Sequence, residues 1–100
     1  MRVVLAEAAE RDLDDVLWSG AERFGFDVAA RYVRSLRDGF ETLAAFPDSS
    51  PASAARPDIR VRRYRSHVLL YRVDHRAGEV VILRVRHGRE DWLRELQRED

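Results

Sequence analysis

The stretch VLLYRV at residues 68–73 decides the fold, because it is apolar at every position except Arg72. Such a run is typical of a central strand that is covered on both faces. A turn over residues 74–78 separates it from a second apolar run over residues 79–87. We therefore predict two adjacent antiparallel strands at the centre of the protein.

The segments on either side of these two strands complete the second half of the chain. Residues 59–65 alternate apolar and arginine side chains and then slip register near Arg63-Tyr64, which predicts a third strand with a bulge. Residues 48–57 are rich in serine, proline and alanine and are predicted to be a loop. The tail after Gly88 carries Trp92, Leu93 and Leu96 at helical spacing, so we expect a short terminal helix there.

The first half begins with a short predicted strand over residues 2–5 and then changes period. Apolar residues recur at the spacing of an amphipathic helix at Ala6, Ala9, Leu13, Val16, Leu17 and Phe24. This helix should end near Arg23, because Gly25 can take the positive φ of a C-terminal cap. Asp27 is then predicted to cap the start of a second helix, which Pro47 ends. Two helices joined by so short a turn form an antiparallel hairpin.

The order of these elements predicts an α+β fold with the arrangement β-α-α-β-β-β and a short C-terminal helix. Each long helix has one apolar stripe, which must be buried against another layer. We therefore expect the helix hairpin to pack on one side of a small antiparallel sheet, within a single domain that spans residues 1–100.

Composition excludes several classes of protein. The chain has no cysteine and its three histidines are far apart in sequence, so neither a disulfide framework nor a zinc site is expected. No run of about 18 apolar residues and no leader pattern occurs, which predicts a soluble, cytoplasmic protein that does not contact a membrane. We expect no cofactor and no metal.

Charge is unevenly divided although the formal net charge is zero. Residues 1–50 hold six arginines and ten acids, a net of −4, whereas residues 51–100 hold twelve arginines and eight acids, a net of +4. Guanidinium groups pair well with carboxylates and phosphates. The sheet half is therefore expected to meet an anionic partner. A net charge of zero gives little affinity for nucleic acid, so we expect no direct binding of nucleic acid.

Several short motifs occur in a fixed order along nearly the whole chain. In the first half they are Ala9, Asp12-Leu13, Phe24-Gly25, Ala29-Ala30, Tyr32, Leu36, Leu43-Ala44 and Pro47; in the second half they are Ile59-Arg60, the strand SHVLLYRV at residues 66–73, and the strand ILRVRHGR at residues 82–89. In this order they resemble the RelE/ParE toxin superfamily, and its ParE branch in particular.

The resemblance implies the toxin of a type II toxin–antitoxin system. ParE-type toxins poison DNA gyrase, whereas RelE-type relatives cut messenger RNA on the ribosome. The partner implied is a co-encoded ParD-like antitoxin, with a dimeric ribbon-helix-helix head and a tail that wraps the toxin in a hetero-oligomer. The shared fold does not choose between the two activities, so individual residues must.

One position separates the branches. Nuclease relatives carry a basic residue three places before the tyrosine of the middle strand, and here Val68 stands three places before Tyr71. We therefore expect a non-enzymatic gyrase inhibitor. If the chain is instead a ribosome-dependent nuclease, its catalytic candidates are His87, Arg84 and Arg86. A third alternative is an inactive module that only binds its antitoxin.

Two groups of residues are candidates for binding. The target-binding candidates are Arg84, Arg86, His87, Arg89 and Trp92, and the antitoxin-binding candidates are Arg60, Arg62, Arg63, Arg65 and Tyr71. Tyr71 and Trp92 are also interpreted as packing residues rather than platforms for base stacking. His67 and His75 lie in predicted turns and are expected at the surface.

Overall fold

The computed structural model describes residues 1–98. Its elements are β1 (Arg2–Leu5), α1 (Glu7–Phe24), α2 (Phe26–Ala45), β2 (Arg60–Tyr64), β3 (His67–Asp74), β4 (Glu79–His87) and α3 (Trp92–Arg98). This order confirms the predicted fold. None of the helices in this part of the chain has the length and apolar character needed to cross a membrane.

The four strands form one sheet in the order β1-β4-β3-β2. Strands β2, β3 and β4 form the predicted antiparallel meander. Strand β1 lies parallel to β4, from the pair Arg2 and Glu79 to the pair Leu5 and Ile82, so the sheet is mixed. Parallel neighbours need a long crossover connection, which the helix hairpin and the meander together supply.

The bulge lies in a different strand from the one predicted. Pairing between β2 and β3 is continuous, so the expected bulge near Arg63-Tyr64 is wrong. The alternation of side chains breaks there because β2 ends at Tyr64 and a tight turn follows, with Arg65 at φ 52°. The register shift occurs between β3 and β4, where Leu70 pairs with Arg84 and Tyr71 pairs with Ile82, which leaves Leu83 as the extra residue.

Gly25 is the single residue between the two long helices. Its φ is 91° and its ψ is 156°, a conformation that glycine adopts and other residues avoid. The predicted cap at Asp27 is wrong, because α2 already begins at Phe26 and Asp27 lies within its first turn. The carbonyl of Gly25 accepts the first helical hydrogen bond, from the N–H of Ala29 at 3.2 Å.

The sheet is covered on both faces. Helices α1 and α2 bury the first face in a core that contains Ala9, Leu13, Leu36, Phe40, Leu43, Ala44, Leu69, Tyr71, Val80, Ile82 and Val85. Helix α3 covers part of the second face, where Leu96 packs with Ile59, Val68 and Leu70. The candidate site residues lie where these two layers meet the end of β4.

Candidate functional site

Asp12 of α1 completes the edge of β4. Strand β1 stops at Leu5, opposite Ile82, so the next backbone groups of β4 have no neighbouring strand on that side. The carboxylate of Asp12, only 7% exposed, takes this place and accepts the N–H of Val85 at 2.9 Å. The same carboxylate accepts Nε and Nη2 of Arg84 at 2.8 and 2.9 Å, so the pair is bidentate.

Arg86 is held by a second group of carboxylates. Its Nη2 donates to Glu95 of α3 at 2.7 Å and lies 2.5 Å from Glu90, and its Nη1 is 3.9 Å from Asp12. The side chain is 14% exposed. Arg84 and Arg86, both predicted to bind the target, therefore pair with carboxylates of the toxin itself and join α1, β4 and α3.

Two imidazoles and a phenol meet beside this network. The hydroxyl of Tyr32 lies 2.6 Å from Nδ1 of His67, and the rings of His67 and His87 are 5.3 Å apart in an edge-on arrangement. His67 is half-buried, so its expected place at the surface is wrong, whereas His75 is exposed as expected. Burial and the adjacent His87 lower the pKa of His67 below its ordinary value. Burial raises the pKa of Tyr32.

His87 ends β4 and closes the turn that follows. Its backbone N–H donates to Oε1 of Glu90 at 2.8 Å, and its Nδ1 accepts the N–H of Arg89 at 3.0 Å. Because Nδ1 accepts, the neutral ring carries its proton on Nε2. His87 thus has one fixed nitrogen and one that remains for other contacts.

A shallow groove of about 210 Å³ runs between α1 and this end of the sheet. Its lining includes both imidazoles and the carboxylates of Asp12, Asp15 and Glu90. Two imidazoles can give and take protons, but phosphate-ester cleavage also needs cations at the phosphate. The guanidinium in this groove, that of Arg86, already faces three carboxylates. The geometry therefore favours proton exchange over phosphate binding.

The arginines of β2 and its turn are arranged differently. Arg62, Arg63 and Arg65 are exposed on the outermost strand and its turn. Arg60 instead pairs with Asp48 at 3.1 Å and donates to the carbonyl of Ser50. Three of the four predicted arginines thus form one accessible basic edge, which we call the β2 basic edge (Arg62, Arg63 and Arg65).

The remaining predicted residues divide between the core and the surface. Tyr71 is 0% exposed and its hydroxyl donates to the carbonyl of Pro47 at 3.2 Å, so it contributes to packing and offers no contact surface. Trp92 is half-buried against the second face of the sheet, with the guanidinium of Arg63 5.9 Å from its ring centroid. Arg89 is exposed in the turn after β4.

Comparison with known proteins decides the family. Residues 3–92 match the family model described as ParE toxin of type II toxin-antitoxin system, parDE. The chain belongs to the ParE toxin family. Toxin ParE1 of Mycobacterium tuberculosis strain H37Rv is 34% identical over 96 residues, which are 95% of this chain and 97% of that protein. Toxin ParE1 of Caulobacter vibrioides strain CB 15 is 37% identical over 84 residues, 83% of this chain and 84% of that protein.

Solved structures share the fold of this chain. The chromosomal ParDE toxin–antitoxin system from P. aeruginosa contains a chain with the same fold, at a TM-score of 0.72 and 20% identity, covering 87% of this chain and 95% of that one. A chain of the RelBE2 toxin–antitoxin complex from Mycobacterium tuberculosis is similar at a TM-score of 0.67 and 25% identity, covering 86% and 95%. The family model and the curated relatives make the chain a ParE-family toxin of a type II system, and the two solved structures show that its fold also occurs in the RelBE2 complex.

Four residues of this ParE-type fold have contacts or positions that the sequence does not predict. Asp12 was recognised only as part of a motif, and the partners of Tyr32 and His67 were not foreseen. Phe24 was placed in the buried stripe of α1, yet it is 64% exposed at the turn of the hairpin. The signal for Phe24 is its position next to Gly25, as the last residue of α1, where the chain turns into α2.

Proposed function

We propose that this chain is a non-enzymatic toxin that inhibits DNA gyrase in the cytoplasm and is neutralised by a co-encoded antitoxin. The observation that carries this is that the basic residues beside His67 and His87 are paired with carboxylates. Arg84 and Arg86 are bound to carboxylates. Val68, at the place where nuclease relatives carry a basic residue, is 0% exposed beneath α3. Membership of the ParE family supports gyrase as the target.

The test is a supercoiling reaction with the purified chain and gyrase. Inhibition of supercoiling, together with trapped cleaved DNA, is the expected result. A reaction in which neither appears at a large molar excess of toxin over gyrase would refute the proposal. Growth arrest after induction without the antitoxin is the matching cellular result, and its absence would leave a module that only binds its antitoxin.

One observation favours a second candidate, a ribosome-dependent endoribonuclease. The contact between Tyr32 and His67, with His87 beside it, is an arrangement that can move a proton. A translation reaction with the purified toxin distinguishes the candidates, because only a nuclease shortens the message. Within that candidate, His87→Ala should abolish cleavage while leaving the thermal unfolding transition cooperative.

We infer that the antitoxin binds the β2 basic edge. A ParD-like antitoxin, with a ribbon-helix-helix head and an acidic tail that folds on binding, is complementary to exposed guanidinium groups on an edge strand. The toxin–antitoxin assemblies described for the P. aeruginosa and RelBE2 structures support a partner of this kind.

Charge reversal tests the antitoxin surface. The double variant Arg62→Glu with Arg63→Glu should weaken antitoxin binding by roughly thirtyfold, about 2 kcal/mol, measured by titration calorimetry. The control is Arg31→Glu with Arg34→Glu, which reverses the same charge on the exposed side of α2. Equal affinity for the two double variants would exclude the β2 basic edge from the interface.

A further inference from the structure

The turn of the helix hairpin carries an exposed apolar patch, and the guanidinium of Arg23 lies over one of its rings, 5.5 Å from the centroid of Phe24. Trp18 is 59% exposed, Phe24 64%, Phe26 54% and Val28 43%. The rings of Trp18 and Phe26 lie 6.2 Å apart, so side chains from the two helices form one surface. We call this surface the hairpin tip (Trp18, Phe24, Phe26 and Val28). Clustered exposed apolar side chains on a soluble protein mark interaction sites.

Phe24 and Phe26 of the hairpin tip lie beyond the place where α2 contacts the sheet. The contact between Tyr32 and His67 marks where α2 reaches the end of β3. Phe26 lies six residues before Tyr32 on the same helix, which at 1.5 Å per residue places it about 9 Å farther out. Aromatic side chains on a projecting rigid turn can enter a concave partner surface, and tryptophan in particular is a frequent anchor of interfaces.

Charge around the hairpin tip distinguishes its possible partners. Helix α1 carries six acids and two arginines, and its residues Asp14, Asp15 and Glu22 are exposed. An acidic antitoxin tail is complementary to the β2 basic edge, on another part of the molecule, and is repelled by α1. Two copies of the chain that met through their tips would bring two acidic helices together. The complementary partner is a different protein with an apolar pocket and a basic rim.

We propose that the hairpin tip is the surface by which the toxin docks on its protein target. This inference rests on the proposed function, in which the target is the protein gyrase. It moves the target-binding site away from the segment that contains Arg84, Arg86 and Trp92, because those side chains are engaged in ion pairs and packing within the toxin. Phe24 and Phe26 enter the pocket of the target, and the acids of α1 face its basic rim.

Two variants and one matched control test the proposal. Phe24→Ser, and the double variant Trp18→Gln with Phe26→Ser, each remove exposed apolar surface from the hairpin tip. Phe46→Ser is the control, because Phe46 is 65% exposed, like Phe24, but follows the opposite end of α2. The full-length toxins are compared for gyrase inhibition, antitoxin affinity, growth arrest and molecular mass in solution.

The expected result is specific to the tip. Loss of an interface anchor weakens binding by about thirtyfold, so the toxin concentration for half inhibition should rise by that factor in the tip variants and by less than about threefold in Phe46→Ser. Antitoxin affinity and molecular mass should not change. Cells that express the tip variants should escape growth arrest.

Each contrary outcome overturns the proposal in a recognisable way. Unchanged gyrase inhibition by the tip variants refutes docking through the hairpin tip but leaves gyrase inhibition as the function of the toxin. Weakened antitoxin binding assigns the hairpin tip to the antitoxin, and a wild-type assembly that dissociates in the tip variants assigns it to a second copy. If the wild-type toxin does not inhibit gyrase but still arrests growth, growth arrest replaces gyrase inhibition as the measurement. In that case, tip variants that arrest growth as the wild type does refute docking through the hairpin tip. A wild-type chain that neither inhibits gyrase nor arrests growth refutes both the proposed function and the docking proposal.

Discussion

Replacement of Asp12 by alanine should destabilise the protein strongly, although the other five acids of α1 are exposed. The residue is 7% exposed, and its carboxylate accepts hydrogen bonds from both the N–H of Val85 and the guanidinium of Arg84. Alanine leaves the buried N–H of Val85 without a partner, which costs about 2 kcal/mol. The side chain of Arg84 is 28% exposed, so water replaces part of its lost pairing and the further cost is about 1 kcal/mol.

The sum of about 3 kcal/mol is a large part of the 5–15 kcal/mol that is usual for the stability of a domain. With a urea m value of about 1.5 kcal/mol/M, the midpoint should fall by about 2 M. Urea titration followed by far-ultraviolet circular dichroism measures this shift. Asp12→Asn keeps an oxygen that can accept from Val85 and loses only the charge, so it should cost about 1 kcal/mol.

Asp15→Ala is the control, because Asp15 is an exposed acid on the same helix. Its removal should change the free energy of unfolding by less than about 0.5 kcal/mol. If Asp12→Ala cost as little as Asp15→Ala, or no more than Asp12→Asn, the idea that Asp12 substitutes for a missing strand would be wrong.

Two further predictions concern His67 and the hairpin turn. Because the pKa of His67 is lowered in the folded state, the unfolded chain binds more protons, and the free energy of unfolding should fall as the pH drops below about 6.5. His67→Phe should lose that part of the pH dependence in urea titrations at several pH values, whereas an unchanged slope would assign it to other groups. Gly25→Ala should cost about 1–3 kcal/mol through backbone strain alone, since an added Cβ meets nothing within 4 Å. Gly39→Ala within α2 should instead stabilise the protein by about 0.5–1 kcal/mol. Equal changes in the free energy of unfolding for the two variants would contradict the backbone strain at Gly25.

Local periodicity was sufficient to predict most of the fold. The helical spacing of apolar residues on either side of Gly25 predicted the hairpin, and the run at residues 68–73 predicted the central strand. The parallel pairing of β1 with β4 was not predicted, because Arg2 and Glu79 are 77 residues apart and no local pattern encodes their contact. The bulge at Leu83 was also missed, since an extra residue inside an apolar run leaves no gap in the pattern.

The candidate site was predicted less well because its residues are defined by their partners. The sequence predicts Arg84 and Arg86 to be cations that bind a target. Their carboxylate partners become neighbours only in the folded chain, and they are Asp12, Glu90 and Glu95. His67 was placed in a turn because it follows Arg65-Ser66, and its contact with Tyr32 spans 35 residues. The helical spacing of apolar residues does not distinguish an exposed aromatic side chain from a buried one.

The pairing of β1 with β4 also determines when the toxin can form during synthesis. The ribosome releases the chain from its N-terminus, so β1 and α1 emerge long before their partners. The ion pair between Arg2 and Glu79 spans 77 residues, and that between Asp12 and Arg84 spans 72. Contacts between such distant residues form only after a large loop has closed, which makes them late and slow to form. A nascent chain that has not yet released β4 therefore lacks both connections, and the toxin completes its fold only after β4 has left the ribosome.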